Sequence, residues 1–276
     1  MEAFNAIGEA IHAMSKDSRL WRYPLLGSTA AAVMLAAAGV GSDARLVDNH
    51  PNVPLVVIIT IALLVILIKV SLVYYPAKAY QYQTTETEFS ETGLALRSIP
   101  RGMITVLLSI GYGIVLGLLV LVLAIPFIVL YFIMKGLFGP VGSVIGVITA
   151  LPLVAWGIGV AAIMVPAYIL SGDPGEGFSM IGTAFNLKKE FMAFGGILLL
   201  ITLATILAVD GMEEILSWTF RGLPGALAVG SVDGAATGAV SALSSIAGAA
   251  MYRCLSSGPV RIKEDVKIDP DWLASL

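Results

Sequence analysis

A lysine inside an apolar stretch is the first residue of this sequence that could do chemistry. Lys69 is the single charged residue between Val53 and Ala77. An ionisable group within a membrane span is energetically expensive, so it is a functional candidate by default. Because it stands near the end of the stretch, its long side chain can also extend towards Tyr74, Tyr75 and the lipid headgroups. Snorkelling of this kind is the favoured interpretation, and a functional role is the alternative.

A group of carboxylates follows the fifth apolar stretch. Asp210, Glu213 and Glu214 lie near Arg221 in the sequence. Paired carboxylates can act as acid and base or bind a divalent cation. Charge clusters at the ends of spans are usually hydrated, so a solvated loop is the favoured interpretation.

Asp233 allows two interpretations within Gly230-Ser231-Val232-Asp233-Gly234. It caps the last helix, or it lies several turns inside that helix. We favour the cap, because an Asp at a helix N-terminus accepts hydrogen bonds from backbone N–H groups that otherwise lack a partner.

Other kinds of chemistry leave no recognisable pattern. Cys254 is the single cysteine, and the two histidines, His12 and His50, fall on opposite sides of the predicted membrane, so no metal-ligand set is apparent. Neither a phosphate-binding loop followed by Lys nor a nucleophile elbow is present. We therefore expect no enzyme activity, no cofactor, no metal and no nucleic-acid partner, and we expect an unmodified Cys254 although palmitoylation is chemically feasible.

The elements that hold these residues are predicted to be membrane spans. The chain has 276 residues, of which 58% are hydrophobic and only 13% charged. A membrane helix needs roughly 20 apolar residues, and the stretches nearly free of charge supply six such helices. They are Tyr23 to Ser42, Val53 to Ala77, Gly102 to Met134, Gly136 to Gly172, Met192 to Val209 and Gly234 to Tyr252.

The basic residues predict the orientation of these spans. With the N-terminus inside, twelve of the 16 basic residues fall on the cytoplasmic side, which selects cytoplasmic N- and C-termini in the cell membrane. They are Lys16, Arg19, Arg22, Lys78, Arg97, Arg101, Lys188, Lys189, Arg253, Arg261, Lys263 and Lys267.

A short motif, Phe-[Asn/Ser]-x-x-Gly-x-Ala-apolar, occurs three times, at Phe4–Ile11, Phe89–Leu96 and Phe178–Phe185. Each copy precedes an odd-numbered span, so we predict three hairpins, each preceded by a cytoplasmic amphipathic interfacial helix, in a pseudo-threefold arrangement. Pro100 should end the second of these helices. The glycines of the motif, Gly8, Gly93 and Gly182, are expected at equivalent close contacts.

The repeat divides the chain. The predicted fold is all-α, with a six-span membrane domain at 1–255, repeat units at about 1–80, 81–170 and 171–255, and a cytoplasmic C-terminal tail at 256–276.

The last span carries a pattern of small residues. Gly230, Gly234, Gly238 and Ala242 recur every four residues, a spacing that lets helix backbones approach closely. Another set with this spacing comprises Ser241, Ser245 and Ala249. The partner is either another span of the same chain or a second copy, and we favour the same chain.

Two parts of the chain resemble a known family. They are Ser15 to Leu26, with its lysine-aspartate, leucine and proline-leucine entry to the first span, and Trp156 to Pro166, followed by Gly175 to Phe178 and by Lys188-Lys189. They resemble an uncharacterised prokaryotic family of six-span membrane proteins. The resemblance implies a fold and no activity.

Two functions fit these patterns. The first is a non-enzymatic membrane protein that organises membrane lipids or membrane-protein partners, a second copy of itself included. The second is a transporter or channel with a path along the pseudo-threefold axis. A polar crevice lined by all three repeat units would favour transport, and a closed apolar core would favour organisation of lipids or partners.

Overall fold

The computed structural model describes residues 2–38 and 54–256, which form seven α-helices and no strand. Residues 39–53, which include Arg45 and His50, and residues 257–276 of the predicted tail lie outside the described residues. The helices are α1 (Glu2–Lys16), α2 (Arg19–Ala37), α3 (Leu55–Thr84), α4 (Glu91–Ser171), α5 (Pro174–Asn186), α6 (Lys188–Thr219) and α7 (Leu223–Leu255).

Short polar side chains mark where several helices begin. The Asp17 carboxylate accepts a hydrogen bond from the backbone N–H of Arg19 at 2.9 Å, at the junction of α1 and α2. Ser90 accepts from the N–H of Gly93 at the start of α4, and Asp173 accepts from the N–H of Gly175 at the start of α5. These acceptors satisfy backbone donors that have no partner within their own helix.

The long helix α4 reverses direction at Gly139. This residue has φ 60° and ψ −133°, a conformation that only glycine adopts readily. The chain then folds back, since a Cβ built on Gly146 would lie 2.9 Å from the Cα of Tyr131 and one on Gly157 would lie 3.4 Å from Val120. The first arm of α4 therefore covers 91–138 and the second covers 140–171.

The most extensive contact between two helices joins α7 to α2. A Cβ added to Gly234 would lie 2.6 Å from the Cα of Thr29, and one added to Gly238 would lie 2.6 Å from the carbonyl oxygen of Pro24. Gly230 lies beside Ala32 and Ala36, and Ala242 is fully buried. The small-residue ladder of α7 thus packs against a helix of the same chain, and the two helices run antiparallel.

The best-packed part of the protein is one end of the bundle. At this end, which we call the proximal end, Arg253 near the end of α7 lies 3.1 Å from Glu9 of α1. Tyr75, Phe191 and Met251 are fully buried in the same hydrophobic core. The Gly139 reversal and the turn between α6 and α7 lie at the opposite, distal end.

Away from the proximal end, apolar side chains are widely exposed. An 18-residue window in each of α3 and α4 has a mean hydropathy of 3.1. Only 17% of the α3 window and 6% of the α4 window are buried. Four helices, α3, α4, α6 and α7, are long and apolar enough to cross a membrane. Because so much contiguous apolar surface is not stable in water, this is the exterior of a membrane-spanning protein.

The predicted repeat fails in two details. A Cβ on Gly8 or Gly182 would have no neighbour within 4 Å, and one on Gly93 would touch only its own capping residue, Ser90, so the expected close contacts are wrong. The first and third motif copies lie in α1 and α5, which are separate helices, whereas the second runs into α4.

Pro100 does not end a second interfacial helix, because α4 continues through it. A proline removes one backbone hydrogen bond, but ending a helix leaves several backbone groups without partners. The continuous helix keeps those groups paired and is therefore the more stable choice.

The α2–α7 contact predicts a strong effect for Gly238→Leu. The new side chain would meet the backbone of Pro24 and Leu25, so we expect a loss of unfolding free energy of at least about 1 to 3 kcal/mol. Gly117→Leu in α4 is the matched control, since nothing lies within 4 Å of its added Cβ. Thermal unfolding in detergent measures both variants, and equal melting temperatures would contradict the contact.

Candidate functional site

Polar side chains line the face of α7 next to its small-residue ladder. Asp233, Thr237 and Ser241 are exposed and follow one another every four residues, and the Thr237 hydroxyl donates to the Asp233 carboxylate at 3.4 Å. Asp233 does not cap α7, because the helix begins at Leu223 with Gly222 as its N-cap. The capping prediction is wrong, since the apolar sequence ahead of Asp233 continues the helix by almost three turns.

A first cavity of about 420 Å³ lies between α7 and the helices α2, α3 and α4. Lys69 of α3 lines it together with Ser28 of α2. The walls are mostly apolar and come from all three predicted repeat units. The α7 side chains are Thr237, Ser241, Ser244 and Ser245, and the others are Leu72, Val73, Ala161, Ala162, Val165 and Pro166.

A second cavity of about 330 Å³ lies between α6 and α7. Thr237 and Ser241 line this cavity as well as the first, so the two adjoin along α7. We call the joined space the α7 groove. From Ser245 to Asp233 it extends for about 18 Å at 1.5 Å per residue, more than half of a bilayer core of roughly 30 Å.

The groove has a blind proximal end. Beyond Ser245, every α7 residue from Ile246 to Met251 is buried. Gly248 lies against the backbone of Ala162 and the ring of Pro166 so closely that a Cβ would not fit. The groove therefore ends against packed protein and does not continue to the proximal face.

Charges are distributed unevenly along the groove. Lys69 lines the first cavity, and Asp210, Glu213 and Asp233 line the second. Glu214 lines neither cavity and is exposed. Of the three α6 carboxylates, two line the second cavity and one does not. The prediction of a solvated loop is wrong, because α6 remains helical through all three and ends at Thr219. No cluster of three or more His, Cys, Asp or Glu residues suited to a metal ion occurs within residues 2–38 and 54–256.

A separate polar cluster joins three helices at the proximal end. Arg253 of α7 donates hydrogen bonds to Glu9 of α1 at 3.1 Å and to the Tyr80 hydroxyl at 3.0 Å. The Tyr80 hydroxyl of α3 also donates to Glu9. Charge-assisted hydrogen bonds of this kind hold elements in register. Because none of the three side chains lines the α7 groove, we assign the cluster to the attachment of α1.

Two ion pairs hold the start of α2. Arg22 contacts Glu91 of α4 at 2.5 Å, and Arg19 contacts Asp17 at 2.7 Å. The side-chain hydrogen bond from Arg19 holds the pKa of Asp17 below its ordinary value, against the opposing effect of partial burial. These groups set the position of the helix to which α7 is packed.

The serine and threonine side chains of the groove are absent from the sequence-based site. The spacing of Ser241 and Ser245 predicts close helix packing, but Ser241 is exposed and both residues line the first cavity. The spacing Asp233, Thr237, Ser241 contained the missing signal. Polar residues every four positions in a span define one face of a helix, and such a face in a membrane needs a polar surrounding.

No protein-family model matches this chain, and neither a curated protein nor a solved structure does. The chain therefore has no close characterised match.

The exposed face of α7 predicts a pattern of cysteine reactivity. In a Cys254→Ser background, Ser241→Cys should react with a water-soluble thiol reagent, because the reactive thiolate needs a polar surrounding. Ala242→Cys, at a fully buried neighbouring position, and Thr60→Cys, on the exposed apolar part of α3, should react much more slowly. Reactivity of Ser241→Cys no greater than that of Thr60→Cys would show that the exposed face of α7 lies in hydrocarbon and not in a polar surrounding.

Proposed function

We propose that this chain is a non-enzymatic, six-span membrane protein that binds a membrane lipid in the α7 groove and so organises lipid around itself. The observation that carries the proposal is the exposed polar face of α7 inside a mostly apolar cavity wall. Polar side chains facing hydrocarbon are unfavourable, so an amphiphilic occupant that offers both polar and apolar contacts suits this wall best.

The size and shape of the groove support a binding site. The two cavities measure about 420 and 330 Å³, within the range of roughly 300 to 1,000 Å³ found for small-molecule sites. Lys69, Thr237 and Ser241 are all exposed, so the groove opens to the side of the bundle, where lipid would reach it. The buried layer from Ile246 to Met251 favours a site with one closed end over an open pore.

Transport along the groove is the second candidate. One observation favours it: the first cavity is lined from all three predicted repeat units, and Thr237 and Ser241 connect it to the second. A transporter would require the blind proximal end to open in another conformation, with α7 moving relative to the second arm of α4 at Gly248.

The proposed topology has six crossings and both termini in the cytoplasm. The two arms of α4 supply two crossings, α2 supplies one, and α3, α6 and α7 supply the others. Arg22, Arg101 and Arg253 contact partners near the proximal end, and Glu9 near the N-terminus lies beside Arg253. Gathering of basic residues at one end supports a cytoplasmic proximal end under the positive-inside rule.

The topology predicts opposite locations for two probes. A reporter fused after Leu276 should be cytoplasmic, and a cysteine at Asn49, outside the described residues, should react with an impermeant reagent from the exterior. The labelling is done in a Cys254→Ser background, so that the native thiol does not contribute. An exterior reporter together with a protected Asn49→Cys would reverse the orientation.

If lipid binds in the groove, a larger side chain placed there should reduce the amount of bound lipid. Thr237→Leu adds bulk to both cavities, so it should reduce the lipid that remains bound after purification by several-fold, measured by native mass spectrometry. Thr60→Leu is the matched control, because Thr60 is also exposed, and its hydroxyl bonds only within its own helix, to Val56. Equal lipid retention in the two variants would contradict a site in the groove.

A further inference from the structure

Lys69 lies in the groove without a counter-ion. Its side chain is exposed and lines the first cavity, and within residues 2–38 and 54–256 it forms no ion pair or hydrogen bond. By contrast, Arg19, Arg22 and Arg253 each contact a carboxylate. An ammonium group at the edge of a bilayer core is stabilised when an anion approaches it, and a lipid headgroup can supply that anion from outside the chain.

Hydroxyl groups surround the same cavity. Ser241 and Ser245 face it from α7, and Ser28 faces it from α2. Serine hydroxyls each supply one donor, and the hydroxyls of Ser241 and Ser245 form no hydrogen bond to another described residue. An ammonium group together with free hydroxyl donors is a donor-rich set, which suits the oxygen atoms of an anionic headgroup.

The distribution of carboxylates fixes which end of the groove would hold that headgroup. No acidic side chain lines the first cavity, whereas Asp210, Glu213 and Asp233 line the second. An anion at the second cavity would face like charges, and an anion beside Lys69 would not. On the distal side of Lys69, the exposed apolar side chains of Leu63 and Ile66 on α3 supply the apolar surface that an acyl chain requires.

Building on the proposed function, we propose that the α7 groove selects an anionic phospholipid from the surrounding leaflet and that Lys69 binds its phosphate headgroup. The lateral opening favours this occupant over a free anion, because a bilayer lipid presents a headgroup at the membrane surface and an acyl chain in the core at the same time. Lys69 lies five residues, or about 7.5 Å, distal to Tyr74, which itself bonds to Arg101. Its long side chain can therefore extend towards the proximal side, where the headgroup of a lipid that enters through the lateral opening would lie.

The test compares headgroups in the intact protein. Nanodiscs that contain equal amounts of phosphatidylglycerol and phosphatidylcholine with identical acyl chains are equilibrated with the protein, and native mass spectrometry then counts the lipids that remain bound. We expect phosphatidylglycerol to be retained over phosphatidylcholine by on the order of tenfold, since only the former carries net negative charge.

Lys69→Gln should remove this preference, and Lys69→Arg should keep it, because arginine also binds phosphate. Lys189→Gln is the matched control, as Lys189 is another exposed lysine of the proximal end and lines neither cavity. The wild-type ratio tests the proposal even if a variant fails to fold. No preference in the wild-type protein, or the same loss in Lys69→Gln and Lys189→Gln, would overturn it.

The outcomes separate this inference from the proposed function. If both lipids are retained equally and Thr237→Leu displaces both, lipid binding stands and headgroup selection by Lys69 is wrong. If Thr237→Leu displaces neither, the groove is not a lipid site and both proposals are wrong. Preferential loss of phosphatidylglycerol in Lys69→Gln, with phosphatidylcholine unchanged, supports both.

Discussion

The backbone of α7 lies directly against the backbone of α2, and the arrangement of the other helices depends on this contact. Glycine at 234 and 238 leaves no side chain between the two helices, so the approach is closer than any larger residue allows. The contact fixes the rotation of α7 about its own axis. The ladder faces α2, and the neighbouring face, with Asp233, Thr237 and Ser241, must then face the cavities towards α3, α4 and α6. A single packing constraint thus determines both the stable side and the polar side of the helix.

The two ends of the bundle meet different requirements. At the proximal end, tyrosines are buried beside partly exposed ion pairs, and α1 is attached to α3 and α7 through Glu9, Tyr80 and Arg253. Towards the distal end, α3 and α4 leave most of their apolar surface uncovered. Lipid tails are as apolar as leucine, so those surfaces need no protein partner in a bilayer. The polar face of α7 cannot be satisfied by lipid tails, which is why the groove is the part of the surface that calls for an occupant.

Part of this structure could be predicted from the sequence. The all-helical class and the membrane surface follow from composition, and the spacing of Gly230, Gly234 and Gly238 predicts close packing, because both effects act through local or bulk properties of the chain. Asp233 and Pro100 are not the helix ends that their residue types predict: the apolar sequence before Asp233 extends α7 back to Leu223, and α4 continues through Pro100 with the loss of one backbone hydrogen bond. The first cavity could not be predicted, because it joins Ser28, Lys69, Val165 and Ser245 from distant parts of the chain. Sequence spacing carries information about one helix face and little about which faces meet.

An experimental structure in a lipid bilayer tests the central claim most directly. A cryo-EM map of the protein in nanodiscs, with an antibody fragment to increase its size, would show what lies against the exposed face of α7. We predict elongated density at the α7 groove, with its polar end beside Lys69 and its apolar part extending distally towards Leu63 and Ile66 of α3. A groove closed by direct packing of α6 and the second arm of α4 onto Thr237 and Ser241, with no space for an occupant, would contradict the account.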